Sequence, residues 1–359
     1  MLQGPLLEKF DSFVKSISQN DKVALVHDLD ADGISSGAIC YNAIKLMRGS
    51  APDLIITQPY KTTQLLKESL AALKKKKINV LIVVDSAFDQ SPDSVQAAEK
   101  IVSRILVIDH HKDYALKSKK ALVVKPQSVS EIEPSKYPAA KFAFDLFSRH
   151  CDVQKWSWLA CVGLMGDNQL LQWKDFVEQS ASEHGTSIEE LWKVAEVISA
   201  VETLAPVKLQ KLMLFVAGAN SPGEIINSEF AEYVSKLNSL TEKYMKEFKK
   251  KRVVYPTQDL VWFEFKAKPN IKSVLINKVS NEFFPDKTVM VVQDKGDGWL
   301  NFSARRQDFK VKTNDLLESA VLGMKGAGAG GHIPASAGRI RKRDLKEFKK
   351  RILAALASP

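Results

Sequence analysis

The sequence predicts an α/β protein with three parts: an N-terminal domain on a parallel sheet, a helical connector, and a smaller C-terminal α/β domain. Three observations predict it. Short apolar runs alternate with longer helical stretches over the first 170 residues, the pattern turns wholly helical from about 187 to 250, and strand-like runs then return with a new charge balance. The implied boundaries are 1–186, 187–250 and 251–359.

Taken in order, the first strands are Val23–His27 (VALVH), 53–56, Val80–Val84 (VLIVV) and 105–108 (ILVI), with helical stretches such as 35–47 and 63–74 between them. Strands that are apolar throughout and separated by helices indicate a parallel sheet covered on both faces. The segments IEELWKVAEVISAVETL and FAEYVSKLNSLTEKYMKEFKK repeat apolar residues every three or four positions, and NSPG at 220–223 is a turn signal between them. Beyond KEFKKKR come strands at 260–265, 288–293 and 299–304, a helix at 272–283, and two helices after Thr313. Phe142, Phe144, Phe147, Trp156 and Trp158 sit at periodic, core-like spacings. Trp299 and Phe302 lie nearer a candidate substrate strand and are the better base-stacking candidates.

Composition narrows the class. With 45% apolar and 26% charged residues the chain folds around a core and is not disordered. No run approaches 18 apolar residues, and MLQGPLLEKF lacks a basic flank before an apolar core, so a cytoplasmic protein without a membrane span is expected. Cys40, Cys151 and Cys161 form no CxxC pair, which suits free thiols in a reducing compartment. The formal charge is +10: residues 1–250 hold 31 basic and 31 acidic residues, and residues 251–359 hold 21 and 11. A basic end suits a polyanionic partner, and it equally suits plain solubility. The run RIRKRDLKEFKKR reads as a basic helix face, either solvated or tracking a nucleic-acid backbone.

In open α/β sheets, ligands bind beyond the carboxyl ends of the strands. Here VALV is followed by His27-Asp28-Leu29-Asp30-Ala31-Asp32-Gly33, LIVV by Asp85-Ser86, and ILVI by Asp109-His110-His111, while WLACVGLMG ends at Asp167-Asn168. An aspartate after a strand is also a common helix cap, and a histidine pair also occurs as a bonded core feature. The recurrence at one sheet edge favours divalent metal binding. Mixed carboxylate and imidazole donors suit Mn²⁺ better than an all-oxygen site, and the absence of cysteine disfavours zinc.

HDLDADG, VVDS, DHH and the later GD resemble, in order, the four signature motifs of the DHH phosphoesterase superfamily. Gly330-Gly331-His332-Ile333-Pro334-Ala335-Ser336-Ala337-Gly338 resembles the GGGHPxAAG element of the associated DHHA1 domain, with Ala329 in place of the first glycine and Ile333 inserted. Ser303-Ala304-Arg305-Arg306 resembles the S-x-R element that meets substrate phosphate. These motifs span residues 27 to 338. The chain is similar to the compact archaeal RecJ-like proteins and the short nanoRNases.

The resemblance implies a DHH catalytic domain, a connector and a DHHA1 substrate domain, with the active site in the cleft between the domains. It implies two divalent ions, Mn²⁺ preferred and Mg²⁺ the alternative. His27, Asp30 and Asp85 would hold one ion; Asp32, Asp85, His110 and Asp167 would hold the other. Asp109 would orient the pair, and His111 would face the scissile phosphate. Ser303, Arg305, Gly330, Gly331 and His332 would bind substrate phosphate; Asp28 fits a capping role, and Arg306 stays unseparated from Arg305. The implied activity is exonucleolytic hydrolysis of single-stranded nucleic acid or short oligonucleotides to nucleoside 5′-monophosphates, with a replication or repair protein as a candidate partner and no oligomeric state specified. Small-molecule phosphoesterases of the same superfamily, and a non-catalytic scaffold that keeps the fold, are the alternative readings.

Overall fold

The computed structural model describes residues 2–58 and 60–357, with the backbone but not the side chain of His332. The chain forms two compact units, Met1–Val234 and Ser235–Pro359.

The first unit opens with α1 (Pro5–Lys15), β1 (Val23–His27), α2 (Ala31–Arg48), β2 (Leu54–Thr57), α3 (Lys67–Lys75) and β3 (Val80–Val84). It continues through α4 (Pro92–Glu99), β4 (Arg104–Ile108) and β5 (Ala121–Val124). Helices follow: α5 (Pro126–Val129), α6 (Ala139–Phe147), α7 (Ser157–Gly166), α8 (Lys174–Glu183), α9 (Ile188–Leu204), α10 (Leu209–Gly218) and α11 (Pro222–Ile226). The strands pair in parallel in the order β2-β1-β3-β4-β5. Alternation along β1 and β3 explains why their sequences are apolar throughout. Val23, Leu25, Ile82 and Val84 face the core shared with α2, α6 and α7, whereas Ala24, Val26, Leu81 and Val83 face the core containing Leu73 and Val95. The α2 helix is buried along most of its length, which is why it lacks a polar stripe.

The chain runs from β1 outward to β2 and then back past β1 to β3, so the carboxyl ends of β1 and β3 form the switch point of the sheet. The loops after β1, β3 and β4 all emerge at that edge.

The helix α12 (Glu232–Lys251) runs into the second unit, where Tyr244 donates to Lys266 O (3.0 Å) and Phe248 packs on Phe263. There follow β6 (Val253–Tyr255), β7 (Leu260–Lys266), α13 (Lys272–Glu282), β8 (Thr288–Asp294), β9 (Trp299–Arg305), α14 (Thr313–Val321), β10 (Gly328–His332), β11 (Ala335–Arg341) and α15 (Leu345–Ala357). The sheet order is β10-β11-β9-β8-β7-β6, antiparallel except for β7–β8. Leu300, Phe302, Ile340, Leu317 and Phe348 fill the core on one of its faces.

Three sequence expectations change. The Gly/Ala stretch at 326–331, whose side-chain-poor sequence reads as a glycine-rich phosphate-binding loop, lies instead largely on β10, an edge strand in a hairpin with β11. The basic run is divided, with Arg339 and Arg341 on β11 and the remainder leading into α15. Phe302 is fully buried and cannot stack on a base, whereas Phe142, Phe144, Phe147, Trp156 and Trp158 are core residues as expected. The three cysteines are free thiols. No helix among the described residues is long and apolar enough to cross a membrane.

Candidate metal centre

Each carboxylate of the centre is placed by a helix end or a strand end. Asp30 is the N-cap of α2, accepting from Gly33 N at 3.0 Å. One half-turn on, Asp32 points across to α6, whose first two amides, Ala139 N and Ala140 N, donate to it at 2.6 and 2.8 Å. Unpaired N–H groups at a helix start are natural partners for a carboxylate. Gly163 of α7 makes this approach possible: a Cβ there would stand 2.5 Å from Asp32 Oδ1 and 2.4 Å from Ala140 Cβ. Asp85 ends β3 in the left-handed region (φ 55°), and Asn168, beside Asp167, does the same (φ 56°). Non-glycine residues hold that conformation only when their surroundings impose it.

His110 is the hub. Its Nδ1–H donates to Pro134 O (3.3 Å), which leaves the Nε2 lone pair facing Asp85 Oδ1 at 3.5 Å, Asp167 Oδ2 at 3.5 Å and Asp32 Oδ2 at 3.8 Å. Burial pushes His110 toward its neutral form. A neutral nitrogen lone pair facing three carboxylates is stable only with a cation between them. Asp85 Oδ1 is buried without a hydrogen-bond donor. Burial, then Asp32, drives the Asp85 carboxyl well above its ordinary range; burial, then Asp167, does the same to Asp32. The donor set therefore fits a divalent metal.

Three groups of donor atoms lie close enough to share an ion: Asp32–His110–Asp167, Asp85–His110–His111 and Asp28–Asp30–Asp85. Asp85 belongs to two of them, as a bridging ligand would. His27 belongs to none. Its Nδ1–H donates to Asp28 O (2.7 Å), its Nε2 is 3.0 Å from Thr57 Oγ1, and burial lowers its pKa to about 4. Both of its nitrogens are hydrogen-bonded in this structure, and Asp28 rather than His27 lies in the group with Asp30 and Asp85.

Behind the hub, Asp109 is fully buried and accepts from His111 Nδ1 at 2.7 Å. Burial opposes charge on Asp109, but His111 and Lys125 outweigh it and hold the carboxyl below its usual range. For His111, burial likewise opposes charge, yet Asp109 with Asp28 and Asp167 raises its pKa to about 9. Two lysines of the centre escape the sequence reading. Lys125 is buried against Asp109 (2.9 Å) and Asp89 (2.9 Å), and Lys61 pairs with Asp30 (2.5 Å) and Asp28 (3.6 Å). Lys125 follows the short β5, and neither lysine carries a motif that would have found it.

In the second unit, Ser303 and Arg305 lie on β9, and Gly330 and Gly331 on the β10 edge. The side chain of His332 lies outside the described residues. Gly331 has φ 137°, and a Cβ there would meet Ala335 O at 2.5 Å. Arg305 donates to Asn277 Oδ1 (2.9 Å) and Ala304 O (2.9 Å) and pairs with no carboxylate among the described residues; burial lowers its pKa to about 10. Arg306 is different, being neutralised by Asp259 and Asp308, both at 2.6 Å. Lys272, also absent from the sequence expectations, reaches Ser303 Oγ at 3.1 Å. Ser303, Arg305 and Lys272 thus gather donors suited to a phosphate.

Strand-end carboxylates around an imidazole, on a parallel sheet, form groups that could hold a metal ion, and a second α/β unit follows in the chain. Residues 22–163 match the DHH family, N-terminal domain, and residues 253–358 match the DHHA1 domain. The chain belongs to the DHH/DHHA1 phosphoesterase superfamily. No curated protein matches it in sequence.

Among solved structures it is similar to RecJ from Thermus thermophilus in complex with Mn²⁺ (16% identity, TM-score 0.75, 99% of this chain and 55% of that one). It is also similar to an exonuclease RecJ bound to manganese (18%, TM-score 0.71, 100% and 96%). A third is an exopolyphosphatase-related protein from Bacteroides fragilis (14%, TM-score 0.59, 99% and 98%). The chain spans about half the length of the Thermus protein. At these identities the likeness is one of fold.

Proposed function

We propose that the protein is a Mn²⁺-dependent phosphodiesterase that degrades single-stranded nucleic acid or short oligonucleotides from an end, releasing nucleoside 5′-monophosphates. The observation that carries this reading is the convergence of Asp32, Asp85 and Asp167 on His110 Nε2. The similarity of the whole chain to manganese-bound RecJ supports it.

In this reading Asp32, Asp85, His110 and Asp167 hold one ion, and Asp28, Asp30 and Asp85 a second. Divalent ions would supply a hydroxide nucleophile near neutral pH and neutralise charge on the reacting phosphate. Asp109 holds the His111 ring through Nδ1, and in this reading His111 donates to a phosphate or leaving oxygen. Ser303, Arg305, Gly330, Gly331 and His332 bind the substrate backbone, with Lys272 added to that set.

The test is turnover of a dinucleotide, a long single strand, 3′-phosphoadenosine 5′-phosphate and pyrophosphate under Mn²⁺. The proposal expects nucleoside monophosphates from the first two. Turnover of pyrophosphate alone would replace the nuclease reading with a small-molecule one.

A further inference from the structure

The sheet of the second unit carries a polar track on one face. In the β9–β11 ladder, Arg305 pairs with Ala335, Ser303 with Ala337, Asn301 with Arg339, and Trp299 with Arg341. Paired residues share a face, and alternate residues along a strand share it too. Ser303 and Arg305 therefore project on the same side as Trp299, Arg339 and Arg341, while Leu300, Phe302 and Ile340 fill the core opposite. The two ends are six residues apart on β9, roughly 20 Å at strand rise. Only small side chains, Ala335 and Ala337, stand on β11 before Arg339; at the near end Ser303 is fully buried against Lys272 of α13, and Arg305 bonds Asn277 of the same helix.

At the far end the charge is unopposed and held in place. The Arg341 guanidinium lies 3.7 Å from the Trp299 ring centroid, and that of Arg339 lies 4.8 Å from it. Stacking fixes the plane of a guanidinium and leaves its N–H groups directed outward. Both arginines are exposed, and among the described residues neither has a carboxylate partner, whereas neighbouring Lys342 pairs with Asp294 at 2.7 Å. Lys325, Arg341 and Arg343 also line one shallow depression with Gly298. The Trp299 ring is thus engaged by both guanidinium groups.

We propose that Arg339 and Arg341, stacked on Trp299, form a second phosphodiester-binding subsite on the Ser303–Arg305 face. It would hold nucleotides several positions away from those bound at Arg305 and so favour longer strands. The inference rests on the nuclease reading above, because a single-stranded nucleic acid is the polyanion that such a reading brings to this face.

The test uses the full chain and the double variant Arg339→Ala/Arg341→Ala, whose positions are exposed, with melting as a control for folding. Binding of a labelled 15-nucleotide oligothymidylate is measured by anisotropy in EDTA across salt concentrations, and hydrolysis of a dithymidylate is measured under Mn²⁺. The double variant is expected to bind the 15-mer on the order of tenfold more weakly, with a log–log salt slope smaller by about 1.4 for two lost phosphate contacts. Dithymidylate KM and kcat should be unchanged. Unaltered 15-mer affinity and slope, in a protein where Arg305→Ala weakens binding, would overturn the subsite while leaving the nuclease reading intact. Equal losses for the dinucleotide and the 15-mer would also overturn it. Wild-type protein that neither binds nor cleaves any oligonucleotide would overturn both.

Discussion

Replacing Lys125 with methionine should destabilise the first unit by about 3–5 kcal/mol, the usual cost of removing one partner from a buried ion pair. The magnitude follows from the surroundings. Lys125 is 1% exposed in its side chain, and Asp89 and Asp109, both at 2.9 Å, are fully buried. The same ammonium also donates to Lys112 O at 2.7 Å. Methionine fills similar volume, so the loss is electrostatic: two buried carboxylates lose their shared cation. For a unit of this size the melting temperature should fall by roughly 6–20 °C. Asp89→Asn added to the variant should recover part of the loss, because it removes one of the stranded charges. Thermal and urea unfolding of both proteins measure this. A single variant within about 1 kcal/mol of wild type would refute the buried network, and with it the account of how Asp109 is held behind His111.

The two adjacent arginines should separate cleanly. Arg305→Ala should raise KM for an oligonucleotide roughly tenfold, matching the loss of a charged hydrogen bond, with melting unchanged. Arg306→Ala should instead lower stability by about 1–3 kcal/mol, because its guanidinium is bound to Asp259 and Asp308; steady-state kinetics and melting curves check both. Metal-free protein should lose stability as pH rises from about 7.5 to 9. The sign comes from His111: its folded pKa, about 9, lies above its unfolded value, so its contribution is complete below the latter and lost as pH passes the former. The raised carboxyls of Asp32 and Asp85 act in the same sense, while His27 and His110, held neutral in the folded protein, act oppositely only near and below about pH 6.5, where their unfolded forms still carry charge. Saturating Mn²⁺ should flatten the decline, and urea unfolding at several pH values tests it.

The strand-end motifs were legible because the physics behind them is local. An unbroken apolar run followed at once by Asp or His states both that a buried strand ends and what it presents. The Ser303–Arg305 pair, by contrast, is found only through its resemblance to the S-x-R element. What escapes depends on contacts distant in sequence or on residues without side chains. GAGGH has no apolar pattern to reveal a strand, so β10 reads as a loop until its hairpin partner is known. Arg305 and Arg306 are neighbours in sequence, and only the positions of Asp259 and Asp308 distinguish them. Lys125 reaches Asp89 across 36 residues. His27 occupies a motif position, yet its Nε2 lies against Thr57 on the neighbouring strand, and it is Asp28 that lies near Asp30 and Asp85. Gly163 reads as one small residue in an apolar helix until its distance to Asp32 is known.

The central claim is that Asp85 joins two groups of ligands into one metal centre. Mn²⁺ titration followed by electron paramagnetic resonance, comparing wild type with Asp85→Ala, tests it most directly. Wild-type protein should bind Mn²⁺ tightly with the broadened signal of neighbouring ions, and the folded variant should lose both the tight binding and the coupling. A variant that binds Mn²⁺ with wild-type stoichiometry and affinity would contradict the claim.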